Sequence, residues 1–208
     1  DGPVQLEVTL LGQPARPGDE KGSDDENGPV QVSLFQPPTA SLQKSVKVNG
    51  VARRAIDAIG QVNVVMFGPQ DLDLVSGAPA LRRRYLDATL CQTSHRYVRA
   101  LQRYNRVVTQ RNSLLRRIAA GEASADELSY WDDELATQGA IILEARFEAL
   151  AQLDAMARDI NGQLTNDQEH LRIAYRCSLD ATEALADAFR LALAHKRPRD
   201  IQAGMTLV

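Results

Sequence analysis

The sequence predicts an α+β protein, strand-rich in its first third and helical thereafter. Three observations carry that expectation. Val4-Gln5-Leu6-Glu7-Val8-Thr9-Leu10 and Val30-Gln31-Val32-Ser33-Leu34-Phe35 alternate apolar and polar residues, the period of a half-buried strand. After Gly68-Pro69 the apolar spacing lengthens to three and four residues, the period of one helix face. The charges are also segregated: from Arg82 to Arg117 there are ten arginines against one acid, Asp87. From Gly121 to His170 there are twelve acids against Arg146 and Arg158, so the even net charge of −3 hides a strong asymmetry.

The elements follow in order. Between the first two strands, residues 13–29 are rich in Gly, Pro, Asp and Glu, with Asp24-Asp25-Glu26 at the tip. Such a stretch buries too little apolar area to order itself and reads as a flexible hairpin loop. Val46-Lys47-Val48-Asn49-Gly50-Val51 reads as a second hairpin, because Asn-Gly suits a type I′ turn. A short helix is expected from Arg53 to Ile59, ended by Gly60. Val62 to Phe67 is nearly continuous apolar sequence and predicts a strand buried on both faces.

Pro79 suits the first turn of a helix carrying Leu81, Tyr85 and Leu90 as its apolar stripe. A break near Ser94-His95 divides it from a second helix, Arg96 to Ala119, on which Leu101, Tyr104, Val108 and Leu115 share a sector of about 60°. Gly121 ends that helix, and Ser124-Ala125-Asp126-Glu127 is a capping box opening a long helix to about Gly162. Its near-heptad stripe is Leu128, Trp131, Leu135, Ile142, Ala149, Leu153, Met156 and Ile160, and the short link makes the two helices antiparallel neighbours. Leu171, Ile173 and Tyr175 alternate as a short strand; a last helix runs from Ala181 to Lys196, stopped by Pro198, with residues 202–208 extended.

Composition narrows the function classes. At 208 residues, 44% hydrophobic and 25% charged, the chain is of ordinary globular make-up, and no apolar run approaches the ~20 residues that span a bilayer. It opens at Asp1 without a basic-then-apolar leader, so neither export nor a natural start is expected. Cys91 and Cys177 make no disulfide framework and read as buried thiols in a reducing cytosol. His95, His170 and His195 lie far apart without ligand-spaced partners, so no metal site is expected. The sequence contains no Gly-x-x-x-x-Gly-Lys-[Ser/Thr] loop, Gly-x-Ser-x-Gly elbow or His-Glu-x-x-His pair, and no complete active site is legible.

The arginines are the candidate binding residues. Arg96, Arg99, Arg103, Arg106 and Arg117 fall within about 80° of one another, roughly opposite the apolar stripe. Solvated faces usually mix Lys with Glu, whereas this one is Arg alone, and the planar, always-charged guanidinium suits phosphate. By residue type alone, phosphate contact and pairing with the acidic helix stand level, ahead of a plain solvated face. Arg82-Arg83-Arg84 cannot share one helical face, so at least one is expected in a structural ion pair. Asp132-Asp133-Glu134 and Glu144 are expected outward, solvated or self-paired.

A family resemblance adds to this reading. The run Val64-Val65-Met66-Phe67-Gly68-Pro69-Gln70-Asp71-Leu72-Asp73-Leu74-Val75-Ser76-Gly77, continued by Ala78-Pro79-Ala80-Leu81-Arg82-Arg83-Arg84-Tyr85-Leu86-Asp87, resembles the RecF family of DNA replication and repair ATPases. Tyr104, Gln110-Arg111-Asn112-Ser113-Leu114-Leu115, Trp131-Asp132, Leu135-Ala136, Gly139-Ala140, and Arg199-Asp200 with Gly204-Met205-Thr206 are similar to that family in the same order. The similarity covers residues 46–208 well and residues 1–45 loosely.

The resemblance implies an internal piece of an ATP-binding-cassette protein related to the SMC proteins, with the phosphate loop upstream and the signature and Walker B motifs downstream. Residues 1–75 would be antiparallel strands of the ATPase head lobe, with 13–29 the flexible acidic loop. Residues 76–180 would be the helical arm with its antiparallel coiled-coil hairpin, and 181–208 a helix and strand returning to the head. Gln70 would stand at the Q-loop position, near Mg²⁺ and the attacking water, where the family more often has Glu. The intact protein would bind ATP and Mg²⁺, form a homodimer around ATP, and act as a weak DNA-dependent ATPase. It would bind single-stranded or gapped DNA in the cytoplasm and, with RecR and RecO, load RecA in repair, replication and the SOS response. Arg96, Arg99, Arg103, Arg106, Arg117, Arg82 and Arg83 are the DNA-contact candidates. The 208 residues alone are expected to need no cofactor and to have no ATPase activity. The rival expectation is a structural coiled-coil module that docks a protein or a second copy without touching DNA.

Overall fold

A computed structural model describes residues 4–10, 30–36, 43–48, 51–54, 56, 59, 65–177, 179 and 184–207. The chain divides into two units: residues 1–82 with 91–93, and residues 83–90 with 94–208. The first holds four strands, β1 (Val4–Leu10), β2 (Val30–Gln36), β3 (Gln43–Val48) and β4 (Val51–Arg53). They pair antiparallel in chain order, with Val4 opposite Gln36, Val30 opposite Val48, and Val48 opposite Val51. Val48 pairs with Val51 as the expected hairpin requires, and Asn49-Gly50 itself lies outside the described residues. The loop at 13–29 and the Gly60 helix end lie outside the described residues.

Two expectations fail in this unit. Arg53, expected to start a helix, ends β4 opposite Val46; most of residues 54–60 lie outside the described set. Val65, Met66 and Phe67 are 94%, 79% and 87% exposed and belong to no strand. A strand buried on both faces needs paired neighbours and two covering layers, and the four-stranded sheet takes none of these residues as a member. The chain then enters a 3₁₀ turn, Pro69–Leu72, and the one-turn helix α1 (Asp73–Ser76).

Helix α2 (Pro79–Thr93) begins at the predicted proline, but its stripe does not form: Leu90 is buried while Leu81 and Tyr85 are exposed. Ser94 caps α3 (His95–Ala119), its hydroxyl accepting from the Tyr97 backbone N–H at 3.2 Å. Gly121, at φ 77°, makes the left-handed turn after α3 that favours glycine. The capping box forms as read: the Glu127 carboxylate accepts from the Ser124 N–H at 3.0 Å, opening a 3₁₀ turn that runs into α4 (Leu128–Thr165).

Helices α3 and α4 run antiparallel. Arg103 meets Glu134, Arg111 meets Asp132, and Tyr97 meets Arg146, so the contact moves backwards along α4 as it moves forwards along α3. The core lies between them and α5 (Leu185–Ala203), around Val107, Leu135, Ala136, Leu143, Ala188, Phe189 and Leu193. A second cluster, Leu114, Leu115 and Leu128, closes the hairpin end. At Gly139 α5 packs close on α4: a Cβ there would lie 2.5 Å from the Phe189 ring.

The later elements depart from expectation. Helix α4 passes Gly162 and ends at Asn166, whose left-handed conformation stops it as glycine would. Its stripe is buried only in the first half; Leu153, Met156 and Ile160 are 42%, 64% and 56% exposed, because α3 and α5 pack on the earlier turns. Residues 171–175 form no strand: Ile173 is tied to α4 instead, its N–H donating to Asp154 at 2.6 Å. Pro198 lies inside α5 rather than ending it, removing one backbone donor within a helix held by core contacts at Phe189 and Leu193. The helix ends instead at Gly204, so residues 202 and 203 are helical and not extended.

Candidate nucleic-acid interface

Helix α3 sorts its residues by face. Tyr97, Val98, Ala100, Val107, Leu114 and Leu115 are buried, and Arg96, Arg99, Arg103, Arg106 and Arg117 are all exposed on another side. The sequence therefore brings these five together as predicted from their spacing. Arg103 reaches across to α4, its Nε donating to the Glu134 carboxylate at 2.6 Å. That hydrogen bond, with the adjoining charge, holds the Arg103 guanidinium more firmly protonated than usual. Among the described residues, no carboxylate lies within ion-pair distance of Arg96, Arg99, Arg106 or Arg117. Acidic pairing thus accounts for one arginine of five.

A groove of about 380 Å³ runs beside this face, lined by Arg99, Arg103, Arg106, Gln102, Tyr130 and Trp131, among others. Tyr130 and Trp131 stand edge to face, with ring centroids 5.1 Å apart, and Tyr130 is 60% exposed.

The other candidates serve differently. Among the described residues Arg82 makes no ion pair: its Nη1 donates to the carbonyls of Leu74 at 3.0 Å and Gly77 at 3.0 Å, satisfying the end of α1. Arg83 is exposed in the helical unit, on the edge of a second cleft. Gln70 sits exposed in the 3₁₀ turn, its amide folded over Gly68, while the Asp71 carboxylate accepts from the Gly68 N–H at 2.7 Å. A phosphate loop holds nucleotide phosphates with a glycine-rich cradle and its lysine, a motif this sequence does not contain.

Two polar clusters, one buried and one half-buried, fix the hairpin that presents the arginines. Arg111 is fully buried; its Nε donates to Asp132 at 2.7 Å, and its Nη1 donates to Asp200 at 2.7 Å and to the Thr206 hydroxyl at 2.8 Å. Arg197 donates to the other Asp132 oxygen at 2.6 Å, so two arginines balance two aspartates. Asn112 accepts from the Thr206 N–H at 2.8 Å, satisfying a backbone donor as its residue type allows. Asp132, expected outward, is 6% exposed, because the α3–α4 register sets it against Arg111. Asp133 does face outward and pairs with Arg190, while Glu134 is half-buried and pairs with Arg103.

The second cluster gathers Asp87, Tyr97, Arg146 and Tyr175. The Tyr97 hydroxyl donates to Asp87; Arg146 donates to Asp87 at 2.6 Å and to the Tyr175 hydroxyl at 2.9 Å. Burial, then the Asp87 hydrogen bond, push the Tyr97 hydroxyl pKa well above its ordinary value.

Both clusters carry a signal that periodicity alone could have supplied. At 100° per residue Arg111 falls at the edge of the sector of Tyr104, Val108 and Leu115, about 20° from Tyr104, and Asp132 and Arg146 fall on the stripe of Leu128 and Leu135. A charge on or bordering an apolar face needs a partner once that face is buried.

No family model matches the chain. The DNA replication and repair protein RecF of Herpetosiphon aurantiacus is 48% identical over 174 residues, 82% of this chain and 44% of that protein. That of Roseiflexus castenholzii is 41% identical over 218 residues, the whole of this chain and 51% of that one. Among solved structures, the recombination mediator protein RecF with ATP, from the RecFOR pathway, superposes with a TM-score of 0.78 at 26% identity, over 87% of this chain and 49% of that chain. The chain spans about half the length of the curated relatives it matches. It belongs to the RecF family of DNA replication and repair proteins.

Proposed function

We propose that the chain is the part of a RecF-like recombination mediator that carries a DNA-contacting helical arm. On this reading residues 1–75 belong to the ATPase head lobe, 76–180 to the arm with its coiled-coil hairpin, and 181–208 return to the head. The whole protein binds ATP with Mg²⁺, forms a homodimer, acts in the cytoplasm with RecO and RecR, and helps load RecA on gapped DNA during repair and the SOS response. Among the described residues, no helix is long and apolar enough to cross a membrane. Kinship with RecF proteins named for replication and repair supports the setting.

The observation that carries DNA contact is the exposed arginine face of α3, where Arg96, Arg99, Arg106 and Arg117 have no carboxylate partner among the described residues. From Arg96 to Arg117, 22 residues, this face extends about 30 Å along the helix, at ~1.5 Å per residue. The chain is titrated into a fluorescent tailed duplex at low and moderate salt, following anisotropy. Binding that weakens with salt is expected. Absence of binding at both salts would assign DNA contact to other parts of the protein.

A second reading, docking of a protein or a second copy, is favoured by one observation. Leu153, Met156, Ile160 and Leu164 form an exposed apolar stripe along the later turns of α4. Sedimentation of the chain, with and without Met156→Glu and Ile160→Glu, tests it through the loss of self-association.

A further inference from the structure

The groove beside the arginine face has a composition that duplex binding alone does not require. A duplex offers phosphates on its outside and keeps its bases stacked, so a helix that only tracks phosphates needs cations and no rings. Here two aromatic side chains stand at the same groove as Arg99, Arg103 and Arg106. Tyr130 is the second residue after the start of α4 and is 60% exposed, so it is not a core residue. Trp131, half-buried against the hairpin core, meets its ring edge to face and fixes it from behind. Gln102 and Gln110 add amides able to donate and accept at a base edge.

We propose that this groove holds a single-stranded nucleic-acid segment, with phosphates on Arg99, Arg103 and Arg106 and one base stacked on Tyr130. Aromatic faces interleaved with a cationic track are the physical means by which unpaired strands are held, because every base has a π-face whatever its sequence. The groove, at about 380 Å³, is in the size class of small-ligand sites, with room for a base beside the arginines. Glu134 acts as an internal competitor: it occupies Arg103 until a phosphate displaces it. The proposal rests on the DNA-contact reading above and adds to it a preference for the unpaired strand and a residue that reads it.

Trp131 is the chain's one tryptophan, so its fluorescence reports this groove. The chain is titrated with a short single-stranded oligonucleotide, an abasic oligonucleotide of the same length, a blunt duplex and poly-glutamate, and the same series is run on Tyr130→Ala and Tyr130→Phe. The expected result is quenching of Trp131 by the oligonucleotide and, for Tyr130→Ala, an affinity about fivefold or more weaker, as loss of one stacked base predicts. Tyr130→Phe keeps the ring and is expected to bind as the unaltered chain does. The abasic strand is expected to bind the unaltered chain and Tyr130→Ala alike, and duplex affinity is expected not to change with Tyr130. Equal binding of normal and abasic strands, or an unchanged affinity in Tyr130→Ala, would overturn base stacking while leaving DNA contact standing. No binding of any nucleic acid would overturn both. Binding of poly-glutamate as tight as that of the oligonucleotide would make the groove a docking face for an acidic protein and overturn the proposal.

Discussion

Arg111 and Asp200 lie 89 residues apart in the chain, yet their side chains meet at 2.7 Å with neither exposed to solvent. This contact ties the middle of α3 to the end of α5, and Asp132 and Arg197 complete it. A buried charge without its partner cannot recover its lost hydration, so removing one member costs more than the pair contributes.

Replacing Arg111 by Met is accordingly expected to destabilise the chain by about 3–5 kcal/mol, since it leaves Asp200 buried without its cation and Asp132 with Arg197 alone. Urea unfolding checks this, with Arg199→Gln, at an exposed neighbour, as the unaffected control. A loss below about 1 kcal/mol, the ordinary scale of a surface pair, would show that the network does not hold the hairpin.

Gly139→Ala is expected to cost about 1–3 kcal/mol, the usual penalty of overpacking, because the added methyl meets the Phe189 ring at 2.5 Å. Pairing it with Phe189→Leu makes room and is expected to cost less than the sum of the two changes. Additive losses in thermal unfolding would place the two residues out of contact.

Stability should respond to pH at both ends. The Tyr97 pKa is raised in the folded chain above the ordinary 10.0, so its contribution is complete below pH 10 and is lost as pH rises beyond it. Asp154 is shifted the other way, chiefly by the Ile173 N–H and then by Arg158, from an ordinary 3.8. Its contribution is present above about pH 4 and fades as pH falls through the lowered value. Melting curves of Tyr97→Phe should lack the part of the alkaline loss that belongs to this hydroxyl. An identical alkaline profile in both proteins would remove Tyr97 as its source.

Glu134→Gln should release Arg103 and strengthen DNA binding severalfold at low salt, with the gain shrinking as salt screens the added charge. Unchanged affinity would mean that Arg103 faces no phosphate.

Much of the helical architecture was legible because local signals were strong. Pro79 starts α2, Ser94 caps α3, and the Ser124–Glu127 box opens α4, each a contact within three or four residues. The errors arose where non-local packing decides. Pro198 stays inside a helix whose stability comes from Phe189 and Leu193, and Asn166 rather than Gly162 supplies the left-handed stop. Val65–Phe67 reads as a buried strand because hydrophobicity states what a segment tolerates, not what pairs with it. The candidate interface divides in the same way. The spacing of Arg96, Arg99, Arg103 and Arg106 placed them on one face, but the share taken by Glu134, and the presence of Tyr130 at the groove, depend on the register between two helices. Arg111 and Asp132 were visible as family motifs, yet their role emerged only when α5 brought Asp200 to them.

The central claim is that the arginine face of α3 contacts DNA phosphates. It is tested most directly by the salt dependence of tailed-duplex affinity for the chain and for a variant with Arg96, Arg99, Arg103 and Arg106 all changed to Gln. If all four touch phosphates, the plot of log affinity against log salt should become shallower by about 3–4, at ~0.9 per contact, with affinity lost at moderate salt. An unchanged slope and affinity in the variant would contradict the claim and leave α3 as a support for contacts made elsewhere.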